Sequence, residues 1–351
     1  MTAIRNYTVA TGDHIAEWME DEGVNAAELA RRLGTTRKHV SELLSGKAPL
    51  SHQFALGLER VTGVPARIWN QYESTYRGDL ARIAEQVELE AQYERAKEFP
   101  LPYLRKFGFI TATARDRAGS VRQLLEILSV ASFDAFRVTW AQGNVAYRRA
   151  AVGHEKETEL ATWLALGDRE YERLQDIPAF DRPGLTELVA DLRTLTAAPE
   201  PVAAIRRAIN WLRSVGVVLC FIPAVPGLGI HGATRWLNGR PVIQLSLLWK
   251  SDDQLWFTLF HELGHVLLHG SKALYLNGDD NDAEDEANTY AADTLIPPEY
   301  ADRLPRTRDL GAVTALASEL GIAPSIVLGR AQRLTKDYAW GHELKRTFEW
   351  A

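Results

Sequence analysis

Residues 261–265 read His-Glu-Leu-Gly-His, two imidazoles four positions apart with a carboxylate directly after the first. On a helix, positions i and i+4 stand one turn apart on the same face, so both rings can point at one ion. The glutamate sits beside the first ring, within reach of a water at that ion. Hydrolysis at such a centre needs neutral imidazoles as ligands, an open position for water, and a carboxylate that accepts the water's proton and later delivers it to a leaving amine. His261 and His265 are therefore the expected ligands of a Zn²⁺ ion, and Glu262 is the expected base.

Such a site needs a third ligand, and the acidic run 282–293 (DAEDEANTYAAD) offers several. Glu286 is favoured, because Ala287 and Ala291 are small residues one turn apart beside it that would let this helix pack close to the first. Glu284 is the alternative. Tyr290 and Asp293 follow Glu286 at i+4 and i+7, so Asp293 could orient a ligand histidine from behind. His269 continues the histidine spacing, but one straight helix would carry it about 12 Å along the axis from His261, too far to share the ion. It is expected at the pocket rim or in packing. His231 could face the same cleft or stand on the surface.

The elements that must position these groups are legible in outline. A helix is expected from about Asp252 to His269, capped by Ser251 or Asp252 and ended by Gly270. Before it lie three β-rich runs, 217–222, 233–237 and 242–247, with the turn pair Asn238-Gly239 marking a hairpin between the last two. That ribbon could offer an edge to an extended peptide. Residues 121–130, 157–173, 185–195 and 202–215 read as amphipathic helices, with 196–201 (TAAPEP) as the best linker candidate. Residues 66–99 suggest a long helix or helical pair, and the first 65 residues read as short helices separated by glycines. Among these, Asn25 with Glu28 forms a capping-box pattern, and Thr36 can cap the helix that follows Gly34.

With these motifs in place, the stretch from Ile230 to Pro298, including HELGHVLLHG and EDEANTYAADTLIPP, resembles the ImmA/IrrE-type metallopeptidases, zinc peptidases that inactivate phage or stress-response repressors. The resemblance implies His261 and His265 as ligands, Glu262 as catalytic base and Glu286 as the third ligand. Tyr290 stands where that family often has phenylalanine and receives no catalytic role. The segment 321–333 (GIAPSIVLGRAQR) also resembles the end of proteins that fuse this peptidase to a DNA-binding domain.

The N-terminal part, Gly12 to Tyr76, resembles the XRE-type helix-turn-helix of HigA-type addiction-module antitoxins, through AAELARRLGTTRKHVSELLSGKAPLS and its flanks. A helix ending at Gly34 and a second starting at Thr36 would put Thr36, Arg37, Lys38 and Ser41 at the front of a recognition helix. Over Arg31 to Lys47 five basic residues face one acid, Glu42, a local net charge of +4. Such domains usually pair on two half-sites, so a homodimer on double-stranded DNA is expected.

Composition sets the frame. Of 351 residues, 46% are hydrophobic and 25% charged, enough apolar content for two or three packed domains and against disorder as the main state. Forty basic residues against 46 acidic give a net charge of -6, so DNA contact must come from a local patch rather than a whole-chain field. The one cysteine, Cys220, lies in an apolar run and reads as a core residue in a reducing compartment. Residues 1–10 lack the apolar segment of a secretory signal, and the most apolar stretch, 215–222, is too short to span a bilayer, so a cytoplasmic protein is expected. The expected fold is mainly α with a small β-sheet: a five-helix helix-turn-helix domain over 1–75, a helical connector, dimerisation or sensor region over 76–200, and a zincin-like metallopeptidase domain over 201–351. The function expected is a DNA-binding regulator whose peptidase cuts a repressor, a partner protein or itself in stress, phage or toxin-antitoxin control. The alternative is an antitoxin-like autorepressor whose metallo-domain senses or docks a toxin and turns nothing over.

Overall fold

A computed structural model describes residues 8–142, 156–269, 275–276 and 282–350. The expected helix stop at Gly270 lies outside these residues. The class is α+β, mainly helical with one small sheet. The chain divides into two compact units, Met1–Tyr93 and Glu94–Ala351.

The first unit holds α1 (Thr11–Asp21), α2 (Ala26–Leu33), α3 (Arg37–Leu44), α4 (His52–Thr62) and α5 (Ala66–Ala91). Its caps follow from the sequence: Asn25 Oδ1 accepts from the Glu28 amide, Thr36 Oγ1 from the His39 amide and Ser51 Oγ from the Phe54 amide. Only half of the expected capping box forms, because Glu28 turns its carboxylate to Arg31 and Arg32. Gly34 closes α2 in the left-handed region with φ of 65°, which makes the tight turn into α3 possible. Ile15, Leu29, Val40, Leu58 and Trp69 form the core. From α5, Arg77 donates to the carbonyls of Gly46 and Ala48, both at 3.1 Å, and so holds the loop that leaves α3.

The second unit begins with short helices α6 (Leu101–Lys106), α7 (Arg117–Ile127) and α8 (Phe133–Gln142), then α9 (Glu157–Glu172), α10 (Arg182–Thr194) and α11 (Pro201–Ser214). Next come strands β1 (Val218–Phe221), β2 (Gly232–Leu237) and β3 (Arg240–Leu245), helix α12 (Asp252–Leu268), the short strand β4 (Tyr275–Leu276), and helices α13 (Asp282–Leu295), α14 (Leu310–Leu320) and α15 (Pro324–Thr335). The sheet order is β1-β3-β2-β4. The β2–β3 pair is the expected hairpin, with Asn238 and Gly239 at positive φ in its turn. β1 joins β3 in parallel, and β4 pairs antiparallel with β2.

α12 is the central helix of this unit. Trp256, Phe260, Leu263 and Val266 are buried against residues of α10, α11, β1, β3, α14 and α15 in one core. The proline-containing stretch 196–201 lies inside the unit. Leu195 and Ala204 on either side share that core, and Thr196 is buried. The preceding helices also pack on the sheet region: Tyr103 Oη donates to the Pro223 carbonyl at 2.6 Å and Trp163 Nε1 to the Ile222 carbonyl at 3.2 Å.

Candidate metal centre

His261 and His265 both lie on the buried face of α12 with no exposed surface. Their Nε2 atoms stand 3.0 Å apart. Glu284, from α13, completes the group: its Oε2 is 3.2 Å from His261 Nε2 and its Oε1 is 2.9 Å from His265 Nε2. These three residues offer ligand atoms that all lie within 4.8 Å of one another.

Close helix packing makes this convergence possible. Gly264 faces α13, and a Cβ there would stand 3.1 Å from Cα of Ala287. Ala287 and Ala291 are fully buried, as their small size predicts. The expectation for Glu286 does not hold in this geometry. Glu284, Ala287, Asn288, Ala291 and Leu295 share the inward face of α13 at three- and four-residue spacing, whereas Glu286 lies off that face and is exposed. Its Oε2 sits 3.0 Å from His269 Nε2 instead. Helical phase counted back from the buried alanines would have selected Glu284.

His269 also departs from the expected straight-helix position. α12 stops at Leu268, and His269 has extended backbone, φ of -109° and ψ of 163°, which swings its ring out of helical phase. Its Nδ1 lies 3.0 Å from His265 Nδ1. The role sketched for Asp293 falls to others: Asn288 Oδ1 lies 3.1 Å from His261 Nδ1, while Asp293 is exposed. With the proton on Nδ1, His261 donates a hydrogen bond to Asn288 Oδ1, and in that tautomer its Nε2 presents a lone pair toward Glu284 and His265. Two nitrogen lone pairs and a carboxylate facing one point are poorly satisfied by each other and suited to a divalent cation. The donor set therefore fits a metal.

Glu262 points to the sheet side. Thr234 Oγ1, from β2, donates to its Oε2 at 2.6 Å, while Oε1 is buried without a hydrogen-bond partner. Gly232 abuts that free oxygen, and a Cβ at this position would run into it. Burial pushes the Glu262 carboxyl up to about 7, against the opposing pull of His261 and Thr234. Burial also disfavours ionised Glu284, but with a proton on Nε2 the rings of His261 and His265 donate to it and outweigh burial, bringing Glu284 down to about 2; a cation would take the place of those protons. Burial lowers the pKa of His265. Thr234 and Asn288 had no signal in the sequence, since each reaches the motif from another element.

His231 is half-buried. Trp249 Nε1 donates to its Nε2 at 3.0 Å, the two rings stack at 5.7 Å, and burial, then the charge of His261, lower its pKa. Tyr290 is half-buried against Gly264, with no polar contact to the three ligating groups among those described.

In the first unit, Thr36 caps α3, and Arg37, Lys38 and Ser41 are exposed at its front. Arg31 and Arg32 pair with Glu28, Lys38 approaches Glu42 at 3.8 Å, and Arg37 has no carboxylate partner among the described residues.

Mainly helical packing, a small sheet and a buried His-His-Glu group with a second acid beside it define the class of a metallopeptidase-type module. Residues 213–332 match the family model described as the IrrE N-terminal-like domain, Peptidase_M78, about a third of the chain. No curated protein matches the chain.

Proposed function

We propose that the second unit is a zinc-dependent endopeptidase acting on a repressor or other partner protein, or on the chain itself, and that the first unit places the protein on operator DNA as a homodimer in the cytoplasm. One observation carries the peptidase reading: two imidazoles and Glu284 converge from α12 and α13, while Glu262 stands beside them with one oxygen held and one free. Zn²⁺ held by His261, His265 and Glu284 would supply Lewis acidity, polarising a peptide carbonyl and easing deprotonation of water. Thr234 fixes the Glu262 carboxylate through Oε2, so Oε1 is the atom that receives the water's proton as the water oxygen bonds to the peptide carbon, and that returns it to the amine as the C–N bond breaks. Burial favours the protonated form of Glu262 and so helps it hold the water's proton until the amine takes it.

Purified protein is expected to carry about one zinc per chain, lost in His265→Ala. Glu262→Gln should keep the metal and the fold and reduce cleavage of the co-expressed partner repressor, or self-cleavage, by at least about a hundredfold. Unchanged cleavage in that variant would refute the peptidase reading and leave a metallo-domain that senses or docks.

The DNA reading rests on the cap-turn-cap geometry around Gly34 and on the uncompensated charge of Arg37 at the front of α3. Arg37→Ala with Lys38→Ala should weaken binding to the promoter fragment upstream of its own gene and reduce the salt slope by roughly two. An unaltered gel shift would remove the DNA claim.

A further inference from the structure

One turn before His261 on α12, Phe257 opens onto a cavity of about 370 Å³ that none of the metal-centre residues lines. Its walls come from the segment before α12, from α12, α13 and α15, and from the segment after α15, all within the second unit. The volume falls at the small end of the range of about 300–1,000 Å³ typical of ligand pockets. The apolar part is built from Phe257, Leu295 and Ile326. At the mouth, Trp249 and Tyr338 keep 63% and 59% of their surface in water. Two large rings left exposed around a concave apolar surface mark a place that something covers.

The charges narrow what that is. Lys345 Nζ donates to Asp253 Oδ2 at 2.7 Å, so these two lining groups neutralise each other. Arg330 and Arg333 also line the cavity, and no carboxylate among the described residues pairs with either. The Arg333 guanidinium lies over the Phe257 ring, 5.9 Å from its centroid. Gly329, one residue before Arg330, has no side chain to fill the wall, and a Cβ there would come within 2.9 Å of Asp253 Oδ2. The cavity thus joins an aromatic and aliphatic interior to two guanidiniums that lack counter-charges. Guanidinium pairs bind carboxylates through directed, charge-assisted hydrogen bonds and stack on aromatic faces.

We propose that this cavity binds a small apolar carboxylate, an aryl- or alkyl-substituted acid whose body lies between Trp249, Phe257 and Tyr338 and whose carboxylate pairs with Arg330 and Arg333. The site is separate from the metal centre, and its existence does not depend on peptidase activity.

Isothermal titration of the full chain with phenylbutyrate and with its neutral isostere phenylbutyramide tests this. The acid should bind saturably and the amide roughly tenfold or more weakly, the scale of a lost charge-assisted pair. Arg330→Gln with Arg333→Gln should reduce acid binding to the level of the amide and leave amide binding unchanged. Ala292→Phe, which fills the cavity, should abolish both. Because a carboxylate also ligates metals, His265→Ala should bind phenylbutyrate as the native protein does. Equal binding of acid and amide, indifference to the arginine substitutions, loss of binding in His265→Ala, or no saturable binding by the native chain would each overturn the proposal. The arginines are not core residues, so the double variant keeps the test decisive should Ala292→Phe fail to fold.

Discussion

The two histidine ligands of the candidate centre are steadied by different partners, and the difference is testable. His261 has an amide oxygen, Asn288 Oδ1, behind its Nδ1. His265 has another imidazole, and that ring leads on to an exposed carboxylate: His265 Nδ1 to His269 Nδ1, then His269 Nε2 to Glu286 Oε2, each step 3.0 Å. If His265 Nδ1 donates to His269, the Nε2 lone pair of His265 is left for the cation, and Glu286 holds the His269 ring in the matching tautomer. In that arrangement Glu286 would act on the site through His269. His269→Ala should weaken zinc binding about 10- to 100-fold in chelator competition, and Glu286→Gln should weaken it less. Equal affinity in His269→Ala and the native chain would show that His265 needs no such support. His261, Glu262 and His265 were legible at this scale because their spacing is local to one helix. Thr234 was not, because its 2.6 Å contact to Glu262 spans 28 positions of sequence.

At the scale of elements, close approach decides the site. α12 and α13 touch through Gly264 and Ala287, and the ligand from α13 reaches the histidines only because nothing larger separates them. Gly264→Val should cost about 1–3 kcal/mol of stability by overpacking and should lower zinc content. Calorimetry and metal analysis check both, and a variant as stable and as metal-loaded as the native chain would contradict the account. A second close approach locks α9 to the sheet. Arg235, on β2, is nearly buried and donates to Asp168 at 2.7 Å, to Gln244 at 2.8 Å and to the Leu164 carbonyl at 2.9 Å, beside the bare backbone of Gly167. Arg235→Ala should cost on the order of 3 kcal/mol, since it strands buried polar groups that the guanidinium now satisfies. The α12 helix and the Asn-Gly hairpin were readable from periodicity and turn chemistry, although Ser251 stands at the N-cap position without a side-chain capping hydrogen bond. The parallel β1–β3 pairing was not, because strand order depends on contacts between segments far apart in sequence.

At the scale of the molecule, the helices between residues 94 and 200 belong to the same compact unit as the sheet and the metal centre. Tyr103 and Trp163 hydrogen-bond to the chain just after β1, and Leu195 and Ala204 continue one core across the proline-containing turn. A turn rich in alanine and proline looks the same in sequence whether it joins domains or lies within one. Among the described residues, no helix is long and apolar enough to cross a membrane. Cys220 is buried in the sheet, and burial pushes its thiol up to about 12. A raised folded-state pKa gives stability that is present below the unfolded value, near 8.5, and is lost as pH rises through that value towards the folded one. The thiol should therefore resist an aromatic disulfide reagent at pH 8 until the chain is unfolded, and the melting temperature should fall between roughly pH 9 and 11, by less in Cys220→Ser. Prompt labelling of the native protein would contradict that placement.

Local physics sufficed for the sequence to specify the helix that carries both imidazoles and Glu262, the caps and glycine stops of the first unit, and the presence of a small sheet. Each of these depends on residues within about two turns of one another. Which acid joins the histidines, which groups stand behind them, and where the compact unit begins required the folded chain. Those choices depend on the rotation of one helix against another, and Glu284 and Glu286, two residues apart, face opposite ways once Ala287 and Ala291 are buried. The composition of the segment is the same for either choice, and packing distinguishes them.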